Sequence, residues 1–136
     1  MSFRWRHFLD LGADLASAID DDPLAEAKRR SAASRAYYAA YHAADDYHAR
    51  VHGGPPHRVV QRGTERRLLA RHEALIQSLR GQSSPLSRQI GDLLDQLRAA
   101  RVDADYREDA RFTGPKAGGA VSLARAIAQL IETASN

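Results

Sequence analysis

The sequence predicts an all-α fold: an up-and-down antiparallel bundle of four to five helices in a single domain, residues 1–136. Apolar residues recur at three- and four-residue spacing along most of the chain, which is the period of helices that bury one side. No alternating, β-branched run of strand length interrupts this pattern. Short segments rich in glycine, proline or aspartate separate the periodic stretches, and short connections favour antiparallel neighbours.

An acidic turn separates the first two predicted helices. Helix 1 is predicted over roughly residues 3–20, with an inward stripe formed by Phe8, Leu11, Leu15 and Ile19. Asp22 is predicted to cap helix 2, with Pro23 at the first helical position, where a missing N–H costs nothing. Helix 2 then runs to about Val51 and ends at HGGPPH. Because its alanines allow close approach, helix 2 is predicted to be the central helix.

Three more helices follow, each with one apolar stripe. Helix 3 is predicted to begin at Thr64 and end at Gly81, helix 4 begins at Ser84 and Pro85, and helix 5 covers about residues 116–134. The residues predicted to face inward are Leu68, Leu69, His72, Leu75, Ile76 and Leu79 in helix 3; Leu86, Ile90, Leu93, Leu94, Leu97 and Ala104 in helix 4; and Ala120, Leu123, Ala124, Ile127, Leu130 and Ile131 in helix 5. His72 is predicted to be a structural histidine. The glycine-rich segment 114–119 is predicted to be a flexible connection rather than an anion site.

Composition restricts the classes of function. The chain has no cysteine, which excludes disulfides and thiolate–metal sites. His42 and His48 are six residues apart, which is not the spacing of a helical metal site, so we expect no metal and no cofactor. No apolar run approaches the ~20 residues that a membrane helix needs, and the N-terminus lacks the apolar core of a signal peptide. We therefore expect a cytoplasmic protein with no membrane partner.

Arginine supplies eighteen of the twenty basic residues, although the formal net charge is only +3. Its planar fork suits phosphate, but the same bias is also typical of a GC-rich genome. The position of the arginines is therefore more informative than their number. One cluster consists of Arg58, Arg62, Arg66, Arg67 and Arg71. On a helix these residues form either a nucleic-acid patch or the solvated side of an amphipathic helix, and the sequence leaves both open.

Helix 2 carries tyrosine and histidine where a simple core would use leucine. The residues that share this face are Ser34, Tyr37, Tyr38, Tyr41, Ala44 and His48. Their rings either fill the core, with the hydroxyls bonded inside, or line a cleft or a subunit interface. Near the end of helix 4, Arg101 and Asp105 form an i, i+4 pair. We expect this pair to lie beside Tyr106 and the tyrosine face, either as a structural clasp or as part of a phosphate-binding cleft.

Two of these stretches resemble a known family. SRAYYAAYHAA, within the match from Ala32 to Ala44, and the later match from Leu97 to Tyr106 resemble the HEPN domain (higher eukaryote and prokaryote nucleotide-binding). The resemblance is closest to the prokaryotic branch encoded beside minimal nucleotidyltransferases, in which phenylalanine is usual at the position of Tyr41. A looser match covers Gly53 and His57, and the whole resemblance spans roughly residues 8–132.

The resemblance implies a HEPN-like bundle that forms a homodimer and belongs to a toxin–antitoxin or nucleotidyltransferase-linked system. It implies a ligand, either RNA or a nucleotide, and a possible minimal nucleotidyltransferase partner. The candidate ligand-binding residues are Arg98, Arg101, Asp105, Tyr106, Tyr38, Tyr41, His42 and His57.

The RNA-cleaving members of the family use the motif R-x(4–6)-H, and this chain departs from it. Tyr106 stands where the catalytic histidine would follow Arg101. Histidine titrates near neutral pH, whereas tyrosine, with a pKa near 10, is a poor base. We therefore expect a nucleotide-, RNA- or partner-binding protein rather than an enzyme. Two alternatives stay open: a metal-independent ribonuclease that uses Arg101 with Tyr106 or a histidine from elsewhere, and a purely structural scaffold.

Overall fold

The structure is a computed structural model that describes residues 4–53, 64–107, 109 and 111–134, without the side chains of residues 64–70. Over these residues the chain is helical and contains no strand, which confirms the predicted all-α bundle. The helices are α1 (Trp5–Ala16), α2 (Ala25–His52), α3 (Thr64–Arg80), α4 (Pro85–Tyr106) and α5 (Gly114–Ala134). None of the helices in this described part of the chain is at once long and apolar enough to cross a bilayer.

Helix α2 lies at the centre of the bundle, as predicted, and contacts each of the other four helices. Eight of its alanines are buried: Ala25, Ala32, Ala33, Ala36, Ala39, Ala40, Ala43 and Ala44. Gly12 of α1 faces this surface, and a Cβ atom at Gly12 would lie 3.2 Å from the carbonyl oxygen of Ala32. Small side chains on both helices therefore let α1 approach the α2 backbone closely.

The predicted cap of α2 is wrong by two residues. The helix begins at Ala25, and Leu24 rather than Asp22 occupies the capping position. The Asp22 carboxylate accepts a hydrogen bond from the Leu24 N–H at 2.9 Å and pairs with Lys28. An aspartate that bonds the backbone two residues ahead favours a turn and competes with a helix start. Residues 20–24 consequently form a turn, and α1 ends at Ala16 rather than near residue 20.

The inward stripe predicted for α1 is also partly wrong. Leu11 is 42% exposed and Ile19 is 70% exposed, whereas Leu9 and Gly12 are buried. The close contact of Gly12 with α2 sets the rotation of α1, so its neighbour Leu11 points to the side. Ile19 lies beyond the helix end and does not share its face at all.

The stripes of α4 and α5 are confirmed, since every residue predicted to face inward is buried or partly buried. In α3, Leu75, Ile76 and Leu79 are buried as predicted, while the Leu68 and Leu69 side chains lie outside the described part of the structure. The segment 114–119 is not a flexible connection, because α5 already begins at Gly114. Pro115 is compatible with the first turn of a helix, and Ala117 anchors that turn in the core.

Candidate anion-binding cleft

An open cleft of about 300 Å³ lies where α2, α3 and α4 meet. We call it the α2–α4 cleft, and its lining residues are Arg30, Ser31, Ser34, Arg35, Tyr37, Tyr38, His72, Arg101 and Asp105. Six of these nine residues lie on α2 between residues 30 and 38. The polar side of the tyrosine face and the predicted arginine pair therefore meet in one place.

The predicted Arg101–Asp105 pair is present and ties α4 to α2. Nε of Arg101 lies 2.9 Å from Oδ2 of Asp105, and the two side chains are only 29% and 28% exposed. The second carboxylate oxygen, Oδ1, accepts a hydrogen bond of 2.6 Å from the Ser34 hydroxyl on α2. Asp105 thus holds Arg101 in place from one side while it anchors itself on the neighbouring helix.

Aromatic rings further restrict the Arg101 guanidinium. Its central carbon lies 5.8 Å from the ring centroid of Tyr37 and 5.9 Å from that of Tyr106. Cations are attracted to aromatic faces at this distance. Tyr37 is buried, whereas Tyr106 is 67% exposed, so the guanidinium lies between a core ring and a surface ring. The expectation that Arg101 lies near Tyr106 and the tyrosine face is confirmed.

His72 connects the cleft to the core. Its Nδ1 atom lies 2.7 Å from the hydroxyl oxygen of Tyr37, and its ring stacks on Tyr41 with centroids 4.1 Å apart. Burial, followed by the positive charges of Arg101 and Arg98, lowers the pKa of His72 to about 4. Burial also raises the pKa of the Tyr37 hydroxyl well above its ordinary value. At neutral pH we therefore assign the Tyr37 O–H as donor and Nδ1 of a neutral His72 as acceptor.

The cleft carries net positive charge, because Asp105 is the only carboxylate among its described lining residues, against three arginines. Arg30 is used structurally: its Nη1 donates to the carbonyl oxygens of Ala104 at 2.8 Å and Arg107 at 3.1 Å. These carbonyls belong to the C-terminal end of α4, where a cation is favourable. Arg35 is exposed and makes no ion pair within the part of the chain that the structure describes. Arg35 and Arg101 are therefore the cations best placed for a ligand.

The predicted ligand-binding residues divide into two groups. Tyr38, Arg101 and Asp105 line the cleft, and the other members that the structure describes lie beside or behind it. Arg98 pairs with Asp95 at 3.1 Å. The remaining rings surround the lining residues: Tyr41 lies under His72, His42 meets Tyr38 edge-on at 4.4 Å, and Tyr106 covers Arg101.

The predicted loop histidine and most of the nucleic-acid patch lie outside what the structure describes. His57, Arg58 and Arg62, together with the side chains of Arg66 and Arg67, belong to this part. Arg71, the last member of the patch, is exposed on α3, and its charge also lowers the pKa of His72.

Sequence reasoning missed the role of three cleft residues. Arg30 and Arg35 were hard to separate from the general arginine bias, but they share the spacing of Ser34 and Tyr38 along one side of α2. His72 was predicted to be structural because it belongs to the apolar stripe of α3. Its hydrogen bond to Tyr37 is structural, but its ring also reaches the cleft.

The other end of the tyrosine face is core. Tyr47 and His48 are buried, with the Tyr47 hydroxyl 2.8 Å from Ser87 Oγ and His48 Nε2 2.7 Å from Ser78 Oγ. His48 and His52 do have the four-residue spacing of a helical metal site, which the sequence reading overlooked, and their rings are 5.4 Å apart. His52, however, contacts Ser87 Oγ at 2.8 Å. Among the described residues, no group of three or more histidine, aspartate or glutamate side chains is arranged to hold a metal ion.

No protein-family model, curated protein or solved structure matches this chain. The likeness to HEPN domains therefore rests on the sequence motifs alone.

Proposed function

We propose that this chain is a HEPN-like binding protein whose α2–α4 cleft takes the phosphate of RNA or of a nucleotide. The observation that carries the proposal is the setting of Arg101. Its guanidinium is held by Asp105 and lies between the rings of Tyr37 and Tyr106, at the wall of an open, positively charged cleft. A fork fixed in this way loses little freedom when it binds a phosphate.

Arg35 supports the same proposal. It lines the cleft from α2 and Arg101 lines it from α4, so a phosphate bound there would have a cation on each of two helices. Charge-assisted hydrogen bonds from arginine to phosphate are among the stronger polar contacts in proteins. Because binding of this kind releases counterions from a nucleic acid, its affinity is expected to fall as the salt concentration rises.

Binding of a short fluorescent single-stranded RNA, measured over a salt series, tests the proposal. Arg101→Ala and Arg35→Ala should each weaken binding and reduce the slope of log K against log salt by about one. Arg125→Ala is the matched control, since Arg125 is exposed on α5 and does not line the cleft. If the three variants bind equally well, the cleft is not the binding site.

A metal-independent ribonuclease is the second candidate, and the position of His72 favours it. His72 and Arg101 line the same cleft, although they come from different helices. Such a reaction requires the other tautomer of His72, with Nδ1–H donating to the Tyr37 oxygen, so that Nε2 is free to take the proton of a ribose 2′-hydroxyl. The 2′-oxygen then attacks the adjacent phosphorus, and the 5′-oxygen of the next nucleotide leaves with a proton from water. Arg101 would stabilise the charge on the phosphate. Tyr106 lies outside the cleft lining, so His72 is the better partner for Arg101.

Cleavage of RNA in the presence of EDTA distinguishes the two candidates. A ribonuclease requires cleavage that Arg101→Ala and His72→Gln both abolish while the variants stay folded. Salt-sensitive binding without cleavage supports the first candidate. If neither binding nor cleavage is found, the third reading, a structural scaffold, is the one that remains.

We further propose that the chain forms a homodimer and is located in the cytoplasm. Its partner in a toxin–antitoxin system would be a minimal nucleotidyltransferase. The partner rests on the sequence resemblance. For the dimer, exposed apolar side chains at the end of α4 give additional support: Val102 is 41% and Tyr106 67% exposed. A second subunit that covers part of this surface would remove these groups from water.

A further inference from the structure

We infer that the ligand of the α2–α4 cleft is a single-stranded nucleic acid, with one base stacked on Tyr38 and its phosphate bound by Arg35 and Arg101. This inference rests on the proposed phosphate-binding function and adds the class of ligand. An anion site alone would not distinguish RNA from inorganic phosphate or a sugar phosphate. The ring of Tyr38 supplies that distinction.

Tyr38 differs from the other tyrosines of α2. Tyr37 and Tyr47 are 2% and 3% exposed, and Tyr41 is covered by the stacked ring of His72. Tyr38 is 46% exposed and lines the cleft. Of these four rings, it is the one that a ligand in the cleft can reach without a rearrangement of the core.

Two neighbours fix the orientation of the Tyr38 ring. Phe8 of α1 packs against it with centroids 5.6 Å apart, and His42, one turn further along α2, meets it nearly perpendicular at 4.4 Å. An aromatic ring held in this way keeps its place when a base stacks on it, so little freedom is lost on binding. The contact to Phe8 also means that α1, through its close packing at Gly12, helps to position the cleft.

The spacing of Arg35 and Tyr38 suits a nucleotide. They are three residues apart on one side of α2, which is a rise of roughly 4.5 Å along the helix. A nucleotide presents a phosphate and an aromatic face over a similarly short span. A base in a duplex is already stacked on its neighbours, so a side chain can stack on it only in a single strand. A volume of about 300 Å³ is also at the lower limit for ligand pockets and suits one nucleotide unit.

The test compares a short single-stranded RNA with a phosphodiester chain of equal length that carries ribose but no bases. The wild-type protein should bind the RNA about tenfold more tightly than the abasic chain, a modest effect for stacking of one base. Tyr38→Leu should remove this preference by weakening RNA binding to the level of the abasic chain. Tyr38→Phe keeps the ring and should retain the preference. A duplex RNA of equal length should bind no better than the abasic chain.

The outcomes separate this inference from the function on which it rests. If the wild-type protein binds both probes equally, in a manner that depends on Arg35 and Arg101, the stacking inference is wrong and the phosphate site stands. If the wild-type protein binds a free nucleoside monophosphate but neither of these probes, the inference is wrong and the proposed function stands. If it binds none of the three, both fail. If Tyr38→Leu alters the oligomeric state but not RNA binding, Tyr38 belongs to a subunit interface instead. The wild-type comparison requires no variant, so it decides the matter even where Tyr38→Leu does not fold.

Discussion

The hydroxyl of Tyr37 on α2 lies 2.7 Å from Nδ1 of His72 on α3, and this contact joins the buried core to the wall of the cleft. Both groups are held neutral, since burial lowers the pKa of the histidine and raises that of the tyrosine. The pair shows that this part of the tyrosine face belongs to both the core and the cleft. The buried ring of Tyr37 packs in the core, and its hydroxyl positions His72 at the wall of the cleft.

Stability is expected to fall in mild acid because of His72. Its pKa is about 4 in the folded protein, against an ordinary value near 6.5 in the unfolded chain. Between these two pH values the unfolded state binds more protons than the folded state. Lowering the pH therefore stabilises the unfolded state and reduces the free energy of unfolding. The stabilising contribution of neutral His72 is complete above about pH 6.5 and is lost as the pH falls towards about 4.

Chemical denaturation of the wild type and His72→Gln at several pH values measures this effect. Glutamine keeps a polar group near Tyr37 but does not titrate. From neutral pH to about pH 4.5 the wild type should lose on the order of 1–2 kcal/mol more stability than the variant, a figure reduced for the partial exposure of the ring. The charged or titratable groups around His72 are Tyr37, Tyr41, His42, Arg71, Arg98 and Arg101. Parallel pH profiles for the two proteins would show that His72 is not held neutral.

Asp105 holds Arg101 in place but also neutralises its charge, and we expect the loss of charge to outweigh the gain from positioning in the affinity of the cleft for anions. Asp105→Asn removes the charge, and an amide oxygen can still accept from Ser34. Binding of single-stranded RNA should become several-fold tighter, while stability should fall by about 0.5–1 kcal/mol through loss of the ion pair. Asp103→Asn is the matched control, since Asp103 lies half a turn away and pairs with Arg107 and Lys116 rather than Arg101. Equal gains in the two variants would indicate a general charge effect and not release of Arg101.

Gly91 is expected to be required where α4 passes the end of α3. A Cβ atom there would lie 2.7 Å from Cγ of Arg80 and 3.1 Å from Cβ of Leu79, so the helices would have to move apart. Gly91→Ala should destabilise the fold by about 1–3 kcal/mol, as overpacking does in cores. Gly118 of α5 has no atom within 4 Å of its virtual Cβ, and Gly118→Ala should stabilise the helix by up to about 1 kcal/mol. Thermal unfolding of both variants checks the pair, and a stabilised Gly91→Ala would contradict the close approach.

The proposed homodimer is expected to depend on the exposed apolar surface of α4. Val102→Glu places a charge beside Arg101 on that surface and should convert the dimer to a monomer. Val51→Glu is the control, because Val51 is also exposed, at 53% against 41% for Val102, but lies near the end of α2 away from the cleft lining. Light scattering at micromolar concentration measures both. A wild-type protein that is already monomeric there would contradict the dimer.

Much of the fold could be predicted because periodicity and packing agree. The stripes of α4 and α5 follow a simple rule, and each helix buries the side that the rule selects. α1 departs from the rule because a glycine contact outweighs its apolar stripe: Gly12 lies against α2, and Leu11 is left partly exposed. The pattern of apolar side chains gives no information on how closely the backbone of α1 approaches that of α2. The rotation of α1 about its axis could therefore not be predicted from the sequence.

The candidate site was predictable in part: its residues that are neighbours on one helix, and the approach of Arg101 to the tyrosine face of α2, were expected, whereas the individual partners across helices were not. The Arg101–Asp105 pair follows from four-residue spacing and is found as expected. Its hydrogen-bonded partner Ser34 and the cleft residue His72 come from other helices, far away in the sequence. No local pattern states which turn of α2 faces which turn of α3 or α4, and that alignment depends on the packing of the whole bundle.

Arg101→Lys tests the central claim most directly, because lysine keeps the charge but loses the planar fork. RNA binding and melting temperature are measured on the same samples of wild type and variant. If the cleft binds phosphate through Arg101, the variant should lose binding by about tenfold, as expected for loss of a charge-assisted hydrogen bond, with a nearly unchanged melting temperature. A melting temperature that falls in proportion to the loss of binding would instead identify Arg101 as a structural clasp between α2 and α4. A variant that retains both binding and stability would contradict any role for Arg101 in the site.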